Sequence, residues 1–125
     1  MGQSVSFGDA LKQSYMELNS LTKDHLLGGR VTLVQPKHGY RTAIDPILLA
    51  AAVPARSGEE ILEIGSGTGA ASFCLAARVP DIRVRGLEVQ SNLVVIANKS
   101  ARLGNQMLNV NFIQGDLLFP PRTFP

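Results

Sequence analysis

What this sequence lacks narrows its function before any motif is read. Cys74 is the only cysteine in 125 residues, so there is no internal disulfide and no zinc site built on paired cysteines. Its place in an apolar stretch reads as buried packing. Only two histidines occur, His25 and His38, and neither sits in a pattern of metal ligands or of a nucleophile and its base. Long apolar runs are missing too. The best, Ile47 to Val53, stops at Pro54, far short of the ~20 residues of a membrane span. Met1-Gly2-Gln3-Ser4 has no basic-then-apolar signal pattern, so a cytoplasmic location without a membrane partner is the default expectation. No block of one charge exists: 12 Lys and Arg face 10 Asp and Glu, a net +2. Composition alone therefore does not point to nucleic acid. Internal repeats and low-complexity linkers are absent as well.

What is present is concentrated in one region. The run Ile61-Leu62-Glu63-Ile64-Gly65-Ser66-Gly67-Thr68-Gly69 is followed by an apolar helix, and a second apolar strand ends in Leu87-Glu88-Val89. An apolar strand, a glycine turn, a helix and a carboxylate-tipped strand describe one half of a nucleotide-binding α/β fold. The glycines let backbone approach a ligand, and the helix start offers unpaired N–H groups. A carboxylate at the next strand tip can accept two hydrogen bonds from a ribose diol. Two readings compete. Gly65-x-Gly67-x-x-Ala70 satisfies the loose dinucleotide fingerprint, with Glu88 near the distance of its ribose acid. Against it, the glycines recur at every second position and Glu63 sits two residues before the first. Such an acid would repel a pyrophosphate and suit a cationic ligand. The plainer readings are a solvated strand-end acid for Glu63 and a helix cap for Glu88.

The acid-x-Gly-x-Gly-x-Gly pattern resembles the first motif of class I S-adenosylmethionine (SAM)-dependent methyltransferases. The resemblance implies SAM as cofactor and a Rossmann-like, doubly wound α/β fold. Glu63, Gly65, Ser66, Gly67 and Gly69 would then hold the methionine end and Glu88 the ribose. Val110 to Leu117 reads as a third strand ending in Gly115-Asp116. By the same resemblance Asp116 accepts from the adenine amino group, Leu117 lines its pocket and Val89 packs on the ring. The alternative for Asp116 is a turn residue after a strand.

The stretch Leu27 to Ala50, with Gly39-Tyr40-Arg41-Thr42-Ala43-Ile44-Asp45-Pro46 at its centre, resembles the region before the glycine motif in bacterial tRNA adenine-N6 methyltransferases of the small-domain group. That implies an exocyclic amine such as adenine N6 in tRNA as methyl acceptor, hence an RNA partner. It places Tyr40, Arg41 and Asp45 at the rim of the cofactor pocket. Asp45 before Pro46 is also a good helix N-cap, and the two roles are compatible. The readings from other classes are a nicotinamide dinucleotide domain and a non-catalytic RNA- or protein-binding module.

The expected order is a short helix near Phe7 to Leu18, a hairpin over 30–42 and a helix over 45–53. A strand at 60–64, a helix at 68–79, a strand at 82–88 and a helix at 91–103 follow. The last helix turns Leu93, Ile96, Ala97 and Ala101 inward and Asn98 away, and stops at Gly104-Asn105. Residues 1–54 are read as a segment with hairpin and helix covering the cofactor, and 55–125 as an incomplete SAM-binding domain with about three core parallel strands, the N-terminal half of the fold. Amino-group methyltransferases of this kind carry an Asn- or Asp-Pro-Pro-aromatic loop after a fourth strand. Pro120-Pro121 lacks both the preceding acid or amide and the following aromatic. The expectation is a truncated chain that binds SAM but does not transfer methyl groups, its catalytic residues lying beyond Pro125. Strand 60–64 would be an uncovered apolar edge prone to self-association.

Overall fold

The computed structural model describes Ser6, Gly8 and residues 20–39, 41–104, 106 and 109–122. Nearly all of the helix expected near Phe7 to Leu18, and Tyr40 and Asn105, lie outside these residues. The chain runs β1 (Leu21–Leu26), a 3-10 turn (Leu27–Gly29), β2 (Val31–Pro36), α1 (Asp45–Ala52), β3 (Glu60–Ile64), α2 (Ala70–Arg78), β4 (Arg83–Glu88), α3 (Ser91–Leu103) and β5 (Val110–Gln114). β3, β4 and β5 form a parallel sheet in that order, and β1 and β2 form a separate antiparallel hairpin. This is the α/β architecture that the glycine motif implied.

Alternation along the strands sets which face is buried. Val84, Val110 and Phe112 point to the face that packs against Phe73, Ala97 and Ala101 of the helices. Val31 and Leu33 of β2 and Ala50 of α1 join the same cluster, so hairpin, helices and sheet share one core. Phe73 and Phe112 meet edge to face at 5.4 Å between ring centroids, a geometry the ring quadrupoles favour. The opposite face carries Leu62 and Ile64 of β3, both about half exposed. Among the described residues β3 pairs only with β4, so its other edge is free.

Three expectations need correction. The hairpin lies earlier than 30–42: its first strand is Leu21–Leu26, with the tight turn at Leu27 to Arg30 and Leu21 opposite Pro36. Lys23, Asp24 and His25 make that strand look polar, yet Lys23 and His25 lie on its exposed face, and Asp24, on the other, accepts hydrogen bonds from Gln35 and Thr22. Asp45 is not the N-cap; Ile44 is, and Asp45 and Pro46 are the first helical residues, where a carboxylate still favours the helix dipole. Asn98 does not turn away. Its amide donates to Phe112 O at 2.9 Å and its Oδ1 accepts from Phe112 N at 3.1 Å, clamping α3 to β5. The rest differs by small shifts. β5 ends at Gln114 rather than 117, and α2 begins at Ala70, because Gly69 is left-handed at φ 92°. Gly104 caps α3 with an ordinary φ of −89°.

Candidate functional site

The glycine turn is shaped by what surrounds it. A Cβ on Gly69 would sit 2.5 Å from the Phe112 ring and 2.8 Å from Phe73. A Cβ on Gly86 of β4 would lie 2.6 Å from Ser66 Oγ. The turn is thus pressed against β4 and β5, and only hydrogen fits at both places. Gly65 and Ser66 each donate an N–H to Leu87 O, at 2.8 and 3.2 Å, which fixes the first half of the turn to the neighbouring strand. Gly69, as the N-cap of α2, brings no side-chain hydrogen bond, so the opening turn of that helix is left to backbone.

A cleft of about 380 Å³ lies beside this turn. Glu63, Gly65, Ser66 and the start of α2 form one wall, and Arg41, Ala43, Asp45 and Leu49 form the other. Five residues read from the sequence therefore converge: Arg41, Asp45, Glu63, Gly65 and Ser66. Ser66 Oγ is buried and has no hydrogen-bond partner among the described residues, a polar atom left open at the wall of a cleft. Glu63 accepts a hydrogen bond from Ser72 Oγ at 3.3 Å. Burial pushes its carboxyl up to about 7, against the lowering effect of the Ser72 bond. A half-buried acid with so little hydrogen-bonding support is suited to a cation entering the cleft.

Glu88 ends β4 and is 6% exposed. One oxygen accepts the N–H of Gly67 at 3.0 Å and the other that of Gln90 at 2.8 Å. It therefore ties the middle of the glycine turn to the start of α3. Each oxygen retains one acceptor position, enough for the two hydroxyls of a ribose. Val89 beside it is exposed. Asp116 is held in its own turn: Oδ1 accepts from Leu118 N at 2.9 Å, and its carbonyl accepts from Phe119 N at 3.0 Å. Leu117 is exposed at the same turn.

The segment from Arg41 to Asp45 is positioned by residues outside the glycine motif. Arg41 donates to Pro36 O at 2.7 Å and to Thr22 Oγ1 at 3.0 Å, and pairs with Asp24 at 3.4 Å. Gln35 accepts from Thr42 N at 2.9 Å. Thr42 Oγ1 lies 3.4 Å from Thr68 Oγ1 in the glycine turn. One signal was available for Gln35: it shares the inward phase of Val31 and Leu33, so a polar side chain there had to find buried partners. Among the described residues no group of His, Cys, Asp and Glu is placed to hold a metal ion, and no helix is long and apolar enough to cross a membrane.

Residues 61–124 match the family model described as methyltransferase domain. This chain belongs to that family. Its cofactor class is S-adenosyl-L-methionine, and the fold is that of class I enzymes. Three curated relatives are similar to it. A release factor glutamine methyltransferase of Aliivibrio fischeri is 34% identical over 64 residues, 51% of this chain and 22% of the relative. A 23S rRNA (uracil(747)-C(5))-methyltransferase of Pyrococcus abyssi is 37% identical over 90 residues, 70% of this chain and 21% of the relative. A tRNA1(Val) (adenine(37)-N6)-methyltransferase of Proteus mirabilis is 26% identical over 93 residues, 74% of this chain and 37% of the relative. The methyltransferase domain chain thus spans between about a fifth and two fifths of these relatives. Among solved structures, the [4+2]-cyclase SpnF aligns with a TM-score of 0.55 at 29% identity, covering 61% of this chain and 28% of that one. A SAM-dependent methyltransferase from Thiobacillus denitrificans, in complex with S-adenosyl-L-homocysteine, aligns at 0.52 and 26% identity, covering 63% and 32%.

Proposed function

We propose that this chain is the cofactor-binding part of a SAM-dependent methyltransferase that acts on an exocyclic amine, adenine N6 of tRNA being the foremost candidate. One observation carries the cofactor part. Glu63 and the glycine turn wall a cleft at the end of β3, while Glu88, at the neighbouring strand tip, keeps two acceptor positions. SAM presents an ammonium and a sulfonium at one end and a ribose diol further along. Glu63, Gly65, Ser66, Gly67 and Gly69 serve the charged end, and Glu88 serves the diol. Asp116 serves the adenine amino group, with Val89 and Leu117 against the ring and Tyr40, Arg41 and Asp45 at the rim. A pyrophosphate would meet Glu63 at the same place, so the dinucleotide reading is disfavoured on charge as well as on family.

The acceptor follows from weaker support. Two of the three relatives named above are RNA methyltransferases, and the tRNA enzyme shares the widest stretch of this chain. The release factor enzyme keeps a protein glutamine amide as the second reading. No Asn- or Asp-Pro-Pro-aromatic sequence occurs in the 125 residues. Such a loop would accept the protons of an amine whose lone pair is delocalised, and orient it toward the methyl group. On this reading the chain by itself binds cofactor without turning it over. Calorimetric titration with S-adenosylhomocysteine tests the site. Glu88→Ala removes two charge-assisted hydrogen bonds to ribose and should weaken binding by about 100-fold or more; unchanged affinity would overturn the assignment.

A further inference from the structure

We propose that Gln35 is a positioning residue for the cofactor cleft, its side-chain amide holding the wall from Arg41 to Asp45 against the glycine turn. The inference rests on the cofactor reading above and deepens it. Gln35 is 5% exposed on β2, and its two ends serve different parts of the molecule. Nε2 donates to Asp24 Oδ2 on β1 at 2.8 Å, and Oε1 accepts the backbone N–H of Thr42 at 2.9 Å. The orientation of the amide is fixed by chemistry, since a carboxylate needs a donor and an N–H needs an acceptor. Asp24 Oδ2 also accepts from Thr22 Oγ1 at 2.7 Å and from Arg41. These contacts, that of Gln35 foremost, hold its carboxyl below the usual range. On the far side, Thr42 Oγ1 meets the fully buried Thr68 at 3.4 Å. An unbroken series of polar contacts therefore runs from the hairpin through Gln35 and Thr42 to the glycine turn.

The described part of this wall before α1 has no strand or helix of its own, so side-chain bonds from its neighbours decide where it sits. Arg41, Ala43 and Asp45 face Glu63, Gly65 and Ser66 across the cleft. If that space takes the amino-acid end of the cofactor, the amide of Gln35 sets the width of the methionine subsite without touching ligand.

The test compares two ligands on the whole 125-residue chain. S-adenosylhomocysteine has the amino-acid end, and 5′-methylthioadenosine lacks it. Gln35→Leu leaves the Thr42 N–H without its acceptor and should weaken S-adenosylhomocysteine by about tenfold or more, while methylthioadenosine changes by no more than about twofold. Thr42→Val removes the hydroxyl that meets Thr68 and leaves the backbone N–H on Gln35. It should weaken S-adenosylhomocysteine by about threefold or more with methylthioadenosine again within about twofold, and it carries the test if Gln35→Leu does not fold. Unchanged S-adenosylhomocysteine binding in Gln35→Leu (or, where that variant does not fold, in Thr42→Val), or equal weakening of both ligands, would overturn the inference while the cofactor reading stands. A wild-type chain that binds neither ligand would overturn both.

Discussion

At the scale of single residues, the two glutamates of the site play unlike parts. Glu88 is satisfied by backbone before any ligand arrives, whereas Glu63 has one long hydrogen bond and a carboxyl pushed up to about 7. The consequence is a pH dependence of definite sign. The α-ammonium of the ligand needs Glu63 ionised, so affinity for S-adenosylhomocysteine should fall as pH drops below about 7, approaching tenfold per unit, and level off above it. Stability of the free chain runs the other way. The folded value lies above the group's ordinary value of 4.5, so the contribution of this group is full below 4.5 and is lost as pH rises through about 7. Glu63→Gln should flatten both slopes between pH 5.5 and 7.5, in calorimetry for binding and in thermal melts for stability. Slopes that persist in the variant would remove Glu63 from the charged end of the site.

At the scale of elements, what could be read depended on periodicity. β3, α3 and the glycine turn carry strong local patterns, and their bounds fell where pattern and punctuation put them. β1 did not, because Lys23, Asp24 and His25 interrupt its apolar alternation and only its pairing with β2 makes it a strand. The clamp of Asn98 on Phe112 was likewise invisible, since an amide on the polar side of a helix looks solvated until the strand beside it is known. β3 itself has a further consequence. Among the described residues its outer edge is unpaired, and its open face bears Leu62 and Ile64, 47% and 52% exposed; Glu60 and Glu63 are its only charges, and it has no lysine, proline or bulge to blunt the edge. Self-association through this strand is the expected outcome. Sedimentation velocity across the micromolar range should show a coefficient that rises with concentration, and L62K/I64K should suppress the rise. A single monomeric boundary for the unsubstituted chain at every concentration would contradict it.

At the scale of the whole molecule, the fold class was legible because one motif joins sequence to topology. An acid-tipped strand, a glycine turn and an apolar helix specify a parallel crossover almost regardless of the rest. Convergence of Glu63, Gly65 and Ser66 followed from being neighbours in sequence. The opposite wall did not follow, because it depends on Asp24, Gln35 and Thr42, whose partners lie up to 26 residues away. The acceptor substrate is the least legible part: family membership speaks to the cofactor half of the reaction, and fold alone does not choose a substrate. SpnF, a [4+2]-cyclase, aligns with this fold. The most direct measurement is therefore calorimetric titration of the unmodified chain with S-adenosylhomocysteine, with NAD in parallel. The account predicts saturable one-to-one binding of S-adenosylhomocysteine and no heat of binding with NAD. Binding of NAD alone would contradict it, because Glu63 would then face a pyrophosphate.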